Sequence, residues 1–155
     1  MVLSFFAQNS DIILRLIVAV VLGIIIGAER LLAHKEAGMK THAMVSLGAA
    51  IFVVISEMIG NKYGMEGFDP GRVASQVIVG VGFLGAGAII LQGNRLLGLT
   101  TAGGLWVTAG IGMAAGLGFL GLSIIATILV LLVLILVYIL EKPIRKIYEG
   151  IDQPN

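Results

Sequence analysis

The 155 residues carry 58% apolar and 12% charged side chains, a mean hydropathy of +1.05 and a net charge of +1. Soluble domains average about 25% charged residues, so this composition excludes a soluble globular protein and points to an integral membrane protein. With no cysteine, disulfide frameworks, thiolate nucleophiles and cysteine-ligated metals are excluded too.

Five membrane spans read out in order: Ile12–Ala28, Thr41–Gly60, Arg72–Gln92, Leu99–Leu117 and Leu120–Leu140. The uncharged run Leu96–Leu140 is 45 residues long. As one helix it would be about twice the roughly 30 Å hydrocarbon core, so it folds back into two spans. Alternating strand patterns are absent, which favours helices over a barrel. The N-terminal MVLSFFAQNSD has no positive region, so the first span is expected to remain in the mature protein.

The first span holds Gly23 and Gly27 in a GxxxG spacing, pairs Asp11 with Arg15 one turn apart, and is expected to stop at Glu29-Arg30. Gly38 reads as a turn before Thr41, and Asp69-Pro70 as the start of the third helix. That third span, RVASQVIVGVGFLGAGAIILQ, carries Gly80, Gly82, Gly85 and Gly87 and is expected to be the segment around which the others pack. Its string Gly80–Gly85 satisfies GxGxxG but lacks the strand and soluble βαβ context of a dinucleotide site. The glycines are either a close-packing seam, with Trp106 against it, or a break exposing carbonyls to a cation. The fourth span has two small-residue rows, Thr108-Gly112-Gly116 and Gly110-Ala114-Gly118, implying two neighbours. The fifth is bulky all round and reads as a peripheral helix, anchored by Tyr138 and Tyr148.

The fold expected is thus all-α, a polytopic membrane protein of five transmembrane helices. Residues 1–142 form the membrane domain and 143–155 a short cytoplasmic tail. An offset of sixty residues aligns Gly27, Gly38, Thr41 and Ala49 with Gly87, Gly98, Thr101 and Ala109, suggesting a 2+2 helix internal repeat with the fifth helix outside it.

Lysine and arginine set orientation. Arg30, Lys35, Lys40, Arg95, Lys142, Arg145 and Lys146 fall on one side, and Arg15, Lys62 and Arg72 on the other. This predicts an outside N-terminus and a cytoplasmic C-terminus. Ionisable groups at membrane depth mark sites by default. The cytoplasmic cluster is Glu29, Arg30, Lys40, Thr41, His42, Asn94, Arg95, Thr100 and Thr101; the plain alternative makes the threonines helix N-caps. The outer cluster is Asp11, Arg15, Glu57, Asp69, Arg72 and Gln76, with snorkelling and loop capping as its plain alternative. No catalytic constellation, P-loop or nucleic-acid motif appears, so neither an enzyme nor a nucleic-acid binder is expected.

The strings IIGAER (Ile25–Arg30), AGMKTHAMVSLGAAIF (Ala37–Phe52), DPGRVASQVIVGVGFLGAGAII (Asp69–Ile90) and GLTTAGGLWVTAGIGMAAGLG (Gly98–Gly118) together resemble the MgtC/SapB family of bacterial inner-membrane proteins. The resemblance implies five membrane helices in the inner membrane and a part in adaptation to low magnesium. For some members it also implies survival within host cells and contacts with other membrane proteins, the ATP synthase among them. It carries family motif positions onto Glu29, Arg30, Gly38, Thr41, Asp69, Arg72, Gln76, the four glycines, Thr101 and Trp106. Lys40 stands where the family pattern has arginine, keeping charge without the bidentate fork. Many members continue into a cytoplasmic ACT-like domain, which this chain, ending at Asn155, is expected to lack.

Two functions follow. One is a regulator acting through helix–helix contacts, supported by the small-residue rows; the other is a transporter or channel for a cation such as Mg²⁺, supported by the repeat and the glycine-rich third helix. No cofactor is expected beyond Mg²⁺ itself, and any metal ligands are open. Small-residue faces outnumber the contacts that five helices use, which predicts a homodimer.

Overall fold

The computed structural model describes residues 9–64 and 69–151, with backbone alone for Pro70 and 142–151. The cations Lys142, Arg145 and Lys146 and the expected anchor Tyr148 lie outside the described side chains. The described residues form five helices and one hairpin: α1 Ser10–Leu32, α2 Met39–Tyr63, α3 Pro70–Gly87, β1 Ile90–Gln92, β2 Arg95–Leu97, α4 Leu99–Gly116 and α5 Leu120–Ile151. α1, α2 and the Leu120–Glu141 part of α5 are each long and apolar enough to cross a membrane. The protein is an all-α membrane protein.

Local chemistry marks two of the helix ends. Asp69 caps α3, its Oδ1 accepting from the Gly71 amide at 2.8 Å, and Pro70 fills the first position, where its missing N–H costs nothing. α2 ends in a left-handed Gly64, φ +57°. α1 runs through Glu29-Arg30 instead of stopping there, because Arg30 is buried in the last turn.

The third span differs most from expectation. α3 stops at Gly87, and Ile90–Gln92 turns back to pair antiparallel with Arg95–Leu97, Ile90 opposite Leu97, Leu91 opposite Leu96 and Gln92 opposite Arg95. Glycines at 85 and 87 weaken the helix end, and Gly93-Asn94 supplies a two-residue hairpin turn, with Gly93 at φ +60°. Gly98, at φ +87°, closes the hairpin so tightly that a Cβ there would overlap the Ala88 carbonyl oxygen.

α4, not α3, is the centre of the bundle. Thr101, Gly104, Leu105, Thr108, Ala109, Ile111, Gly112, Met113, Ala115 and Gly116 are all buried, covering most of its circumference. It touches every other helix. Its row Thr108-Gly112-Gly116 rests on α2, where added Cβ atoms at Gly112 and Gly116 would strike the Ser46 and Ala50 backbone. On α1, Gly23 and Gly27 approach α2 equally closely, at His42-Ala43 and Gly38-Met39. The order of these contacts makes α1 antiparallel to α2 and α2 parallel to α4. α5 is peripheral as expected, burying among its described side chains only Ser123 and Thr127, whose hydroxyls donate to their own helix at Leu120 and Ser123 carbonyls.

The sixty-residue repeat appears in the element starts. Ser10 and Pro70 open α1 and α3, Met39 and Leu99 open α2 and α4, and Gly38 and Gly98 are the matching N-caps. The copies diverge in their connections, a short turn in one and the hairpin in the other.

Candidate functional site

Two polar clusters stand at opposite ends of α1. At the end where α1 finishes, Arg30 and Glu29 form a fork: Nε to Oε2 at 2.5 Å and Nη2 to Oε1 at 2.9 Å. Their side chains are only 4% and 14% exposed. Bidentate arginine–carboxylate geometry is the strong form of this pair. His42 is fully buried beside them, within Coulombic reach of both charges, and its Nδ1–H donates to the Gly38 carbonyl at 3.1 Å. Three buried polar atoms here have no protein partner: Arg30 Nη1, His42 Nε2 and, one turn further along α2, Ser46 Oγ. The His42 Nε2 faces Gly104, whose missing side chain leaves it room. Thr101 is buried on α4.

The rest of the expected cytoplasmic cluster does not join this centre. Lys40, Thr41 and Thr100 are exposed, as are Asn94 and Arg95 in the hairpin turn. Adjacent helical residues point about 100° apart, so burying His42 and Thr101 turns Thr41 and Thr100 outward. The threonines are not caps either; Gly38 and Gly98 hold those positions, without side-chain bonds. Thr41 and Thr101 do share a cavity of about 450 Å³ with Glu36, Phe83 and Gly87.

At the other end Arg15 gathers three elements. Its Nη2 pairs with Asp11 Oδ2 at 2.6 Å, and its Nη1 with Glu57 Oε2 at 2.8 Å and the Gly116 carbonyl at 3.2 Å. The Arg15 side chain is 17% exposed, so this is an internal tie between α1, α2 and the α4–α5 corner, and snorkelling does not describe it. Gly118, φ +82°, leaves space for the guanidinium. Asp69, Arg72 and Gln76, expected in the same cluster, stay apart. Asp69 serves α3 as its cap, and Arg72 and Gln76 are exposed with no ion pair or hydrogen bond from their side chains among the described residues.

The glycine string of α3 is not where the bundle closes. A Cβ added at Gly80, Gly82 or Gly87 would meet nothing within 4 Å, and at Gly85 only Ala102 at 3.6 Å. Among the described side chains of the helix only Val77, Val81 and Gly85 are buried. Nor does Trp106 pack on the string: it is 51% exposed, beside Ile78, Leu122 and Ala126 in a separate groove. What α3 does form with α2 is an apolar groove of about 500 Å³ lined by Met44, Gly48, Phe52, Gln76, Gly80 and Leu84. Gly48, with open space around it, had no signal in the sequence that set it apart from the buried small residues of α2.

The profile of the MgtC family matches residues 16–143, a stretch that holds the Arg30 centre, α3 and nearly all of the packed interface. The chain belongs to the MgtC family. It is 42% identical over 135 residues to the Escherichia coli K12 protein named "Putative magnesium transporter YhiD", covering 82% of this chain and 60% of that one. To Protein MgtC of Salmonella typhimurium it is 44% identical over 119 residues, covering 77% and 49%. An uncharacterized Haemophilus influenzae protein is 42% identical over 122 residues, covering 76% and 51%. The chain therefore spans about half to three-fifths of the length of these MgtC-family relatives. No solved structure matches it.

Proposed function

We propose that this MgtC-family chain serves magnesium homeostasis as a regulator in the bacterial inner membrane, acting through helix–helix contacts with partner membrane proteins. The observation that carries the reading is the open face of α3. Gly80, Gly82 and Gly87 are unused inside the bundle, in a helix that loses about 1 kcal/mol of intrinsic stability at each glycine relative to alanine. Small residues let a second helix approach closely in lipid. The name of the E. coli K12 relative ties the process to magnesium, and nothing in the chain's chemistry calls for an enzyme. By the same face the protein pairs with a second copy or with a larger assembly such as the ATP synthase. The N-terminus lies outside and the C-terminus in the cytoplasm.

A second reading, transport of a cation such as Mg²⁺, draws on the name of the E. coli relative and on the two polar clusters at opposite ends of α1. Between them the bundle is filled by Ala19, Leu22, Ile26, Ala50 and Val53, all buried.

Mg²⁺ uptake by proteoliposomes carrying the purified protein separates the two. The regulator reading expects no flux above empty liposomes, together with loss of partner crosslinking in a folded Gly80→Leu variant. Flux that falls in Glu29→Ala or Arg72→Ala would instead establish transport.

A further inference from the structure

We infer that the hairpin between α3 and α4 is a lipid-anchoring element, seated in the headgroup layer of its leaflet and holding an anionic phospholipid phosphate at Arg95. This goes beyond the regulator reading and does not depend on it.

The hairpin presents its apolar side chains outward on both faces. Leu91 and Leu96, a cross-strand pair, are 69% and 59% exposed, and Ile90 and Leu97, the pair on the opposite face, are 52% and 46% exposed. Two strands of three residues bury no core of their own, and a lone hairpin is at best marginal in water. Four bare aliphatic side chains on it need an apolar surrounding. The more exposed pair is Leu91 and Leu96.

Helix length places that surrounding. α3 and α4 have 18 residues each, about 27 Å of rise and slightly under the hydrocarbon thickness. α1 and α2 have 23 and 25. A short span draws its flanking residues into the interface. The two short helices are the ones the hairpin joins.

The tip then supplies the polar half. Gln92, Gly93, Asn94 and Arg95 are all exposed, and exposed Lys35 and Lys40 lie at the same end of the bundle. Positive charge near a surface of anionic lipid is favoured, and a guanidinium matches phosphate with paired donors. Gly98 lies against the Ala88 carbonyl at the base of the hairpin, so the two ends of the hairpin are close together where it leaves α3 and enters α4. A second copy covering the same leucines is the competing occupant, and the measurement below separates the two.

The natural absence of cysteine makes the test direct. Single variants Leu91→Cys, Leu96→Cys, Asn94→Cys and, as an aqueous reference, Glu36→Cys are labelled with an environment-sensitive fluorophore. They are reconstituted in vesicles of phosphatidylcholine with or without phosphatidylglycerol. Labels at 91 and 96 should be quenched by shallow spin-labelled lipid and resist iodide, while 36 and 94 should respond to iodide. Arg95→Gln should reduce the enrichment of phosphatidylglycerol over phosphatidylcholine beside the hairpin, read as quenching of the label at 94 by spin-labelled forms of each lipid, roughly fivefold, as expected for one surface charge. Iodide quenching at 91 and 96 equal to that at 36 would put the hairpin in water and overturn the inference. Resistance to both quenchers would mean that protein covers the leucines, and would overturn it equally. Should a leucine variant fail to fold, Ile90→Cys and Leu97→Cys give the same reading from the other face, and an unchanged lipid preference in Arg95→Gln refutes the phosphate contact by itself.

Discussion

Two glycine rows of similar sequence do opposite work in this molecule. Gly112 and Gly116 of α4 lie against the α2 backbone, where no side chain fits; Gly80 and Gly87 of α3 look out on empty space. In the first row the small residue is a condition of folding. In the second it is a surface kept free of bulk, at a cost in helix propensity that the packing inside the bundle does not require.

Substitutions break this comparison in order of size. Gly112→Leu should abolish the folded bundle, since overpacking against backbone costs about 3 kcal/mol or more; absence of a monodisperse peak in detergent would register it. Gly98→Ala should be nearly as severe, because its positive φ and the Ala88 carbonyl both oppose a Cβ, and thermal unfolding would show it. Glu29→Ala leaves buried Arg30 without its carboxylate, a loss of about 3 kcal/mol, whereas the double change Glu29→Ala with Arg30→Met should recover most of it. At the other end Glu57→Ala should cost only about 1 kcal/mol, since Glu57 is 44% exposed and Asp11 still holds Arg15. Smallest of all, Gly80→Ala should leave stability unchanged or raise it by up to about 1 kcal/mol of helix propensity, read from thermal unfolding. A large destabilisation there would show that α3 is packed after all.

The five helices were legible in the sequence because hydropathy and length decide them, and Asp69-Pro70 announced its helix start through cap chemistry alone. The contrast between the glycine rows was not legible. A glycine records that a side chain is absent and says nothing about what stands opposite, so α3, the richest string, looked like the core. The truncated end of α3 was hidden for a related reason: Ile89 to Leu91 are as apolar as a helix continuation, and only the Gly93-Asn94 turn marked the reversal. Of the candidate polar residues, Glu29, Arg30 and His42 lie together and Thr101 is buried on α4, while Lys40, Thr41 and Thr100 are neighbours in sequence turned outward by helical geometry. Arg72 and Gln76 remained apart from Arg15 because α3 lies beside α2 and α4, away from the start of α1.

The Arg15 tie also has a history written into chain order. Asp11 sits one helical turn from Arg15, so the two can pair as soon as α1 exists. Glu57 arrives with α2, and the Gly116 carbonyl only after α4 has been made. During synthesis Arg15 thus has Asp11 within reach from the start, and its terminal nitrogens gain their last partner only when the α4–α5 corner closes over them. Assembly of the bundle can be timed by that last contact: nascent chains that stop before residue 116 should leave Arg15 open to reagents that the finished protein keeps out.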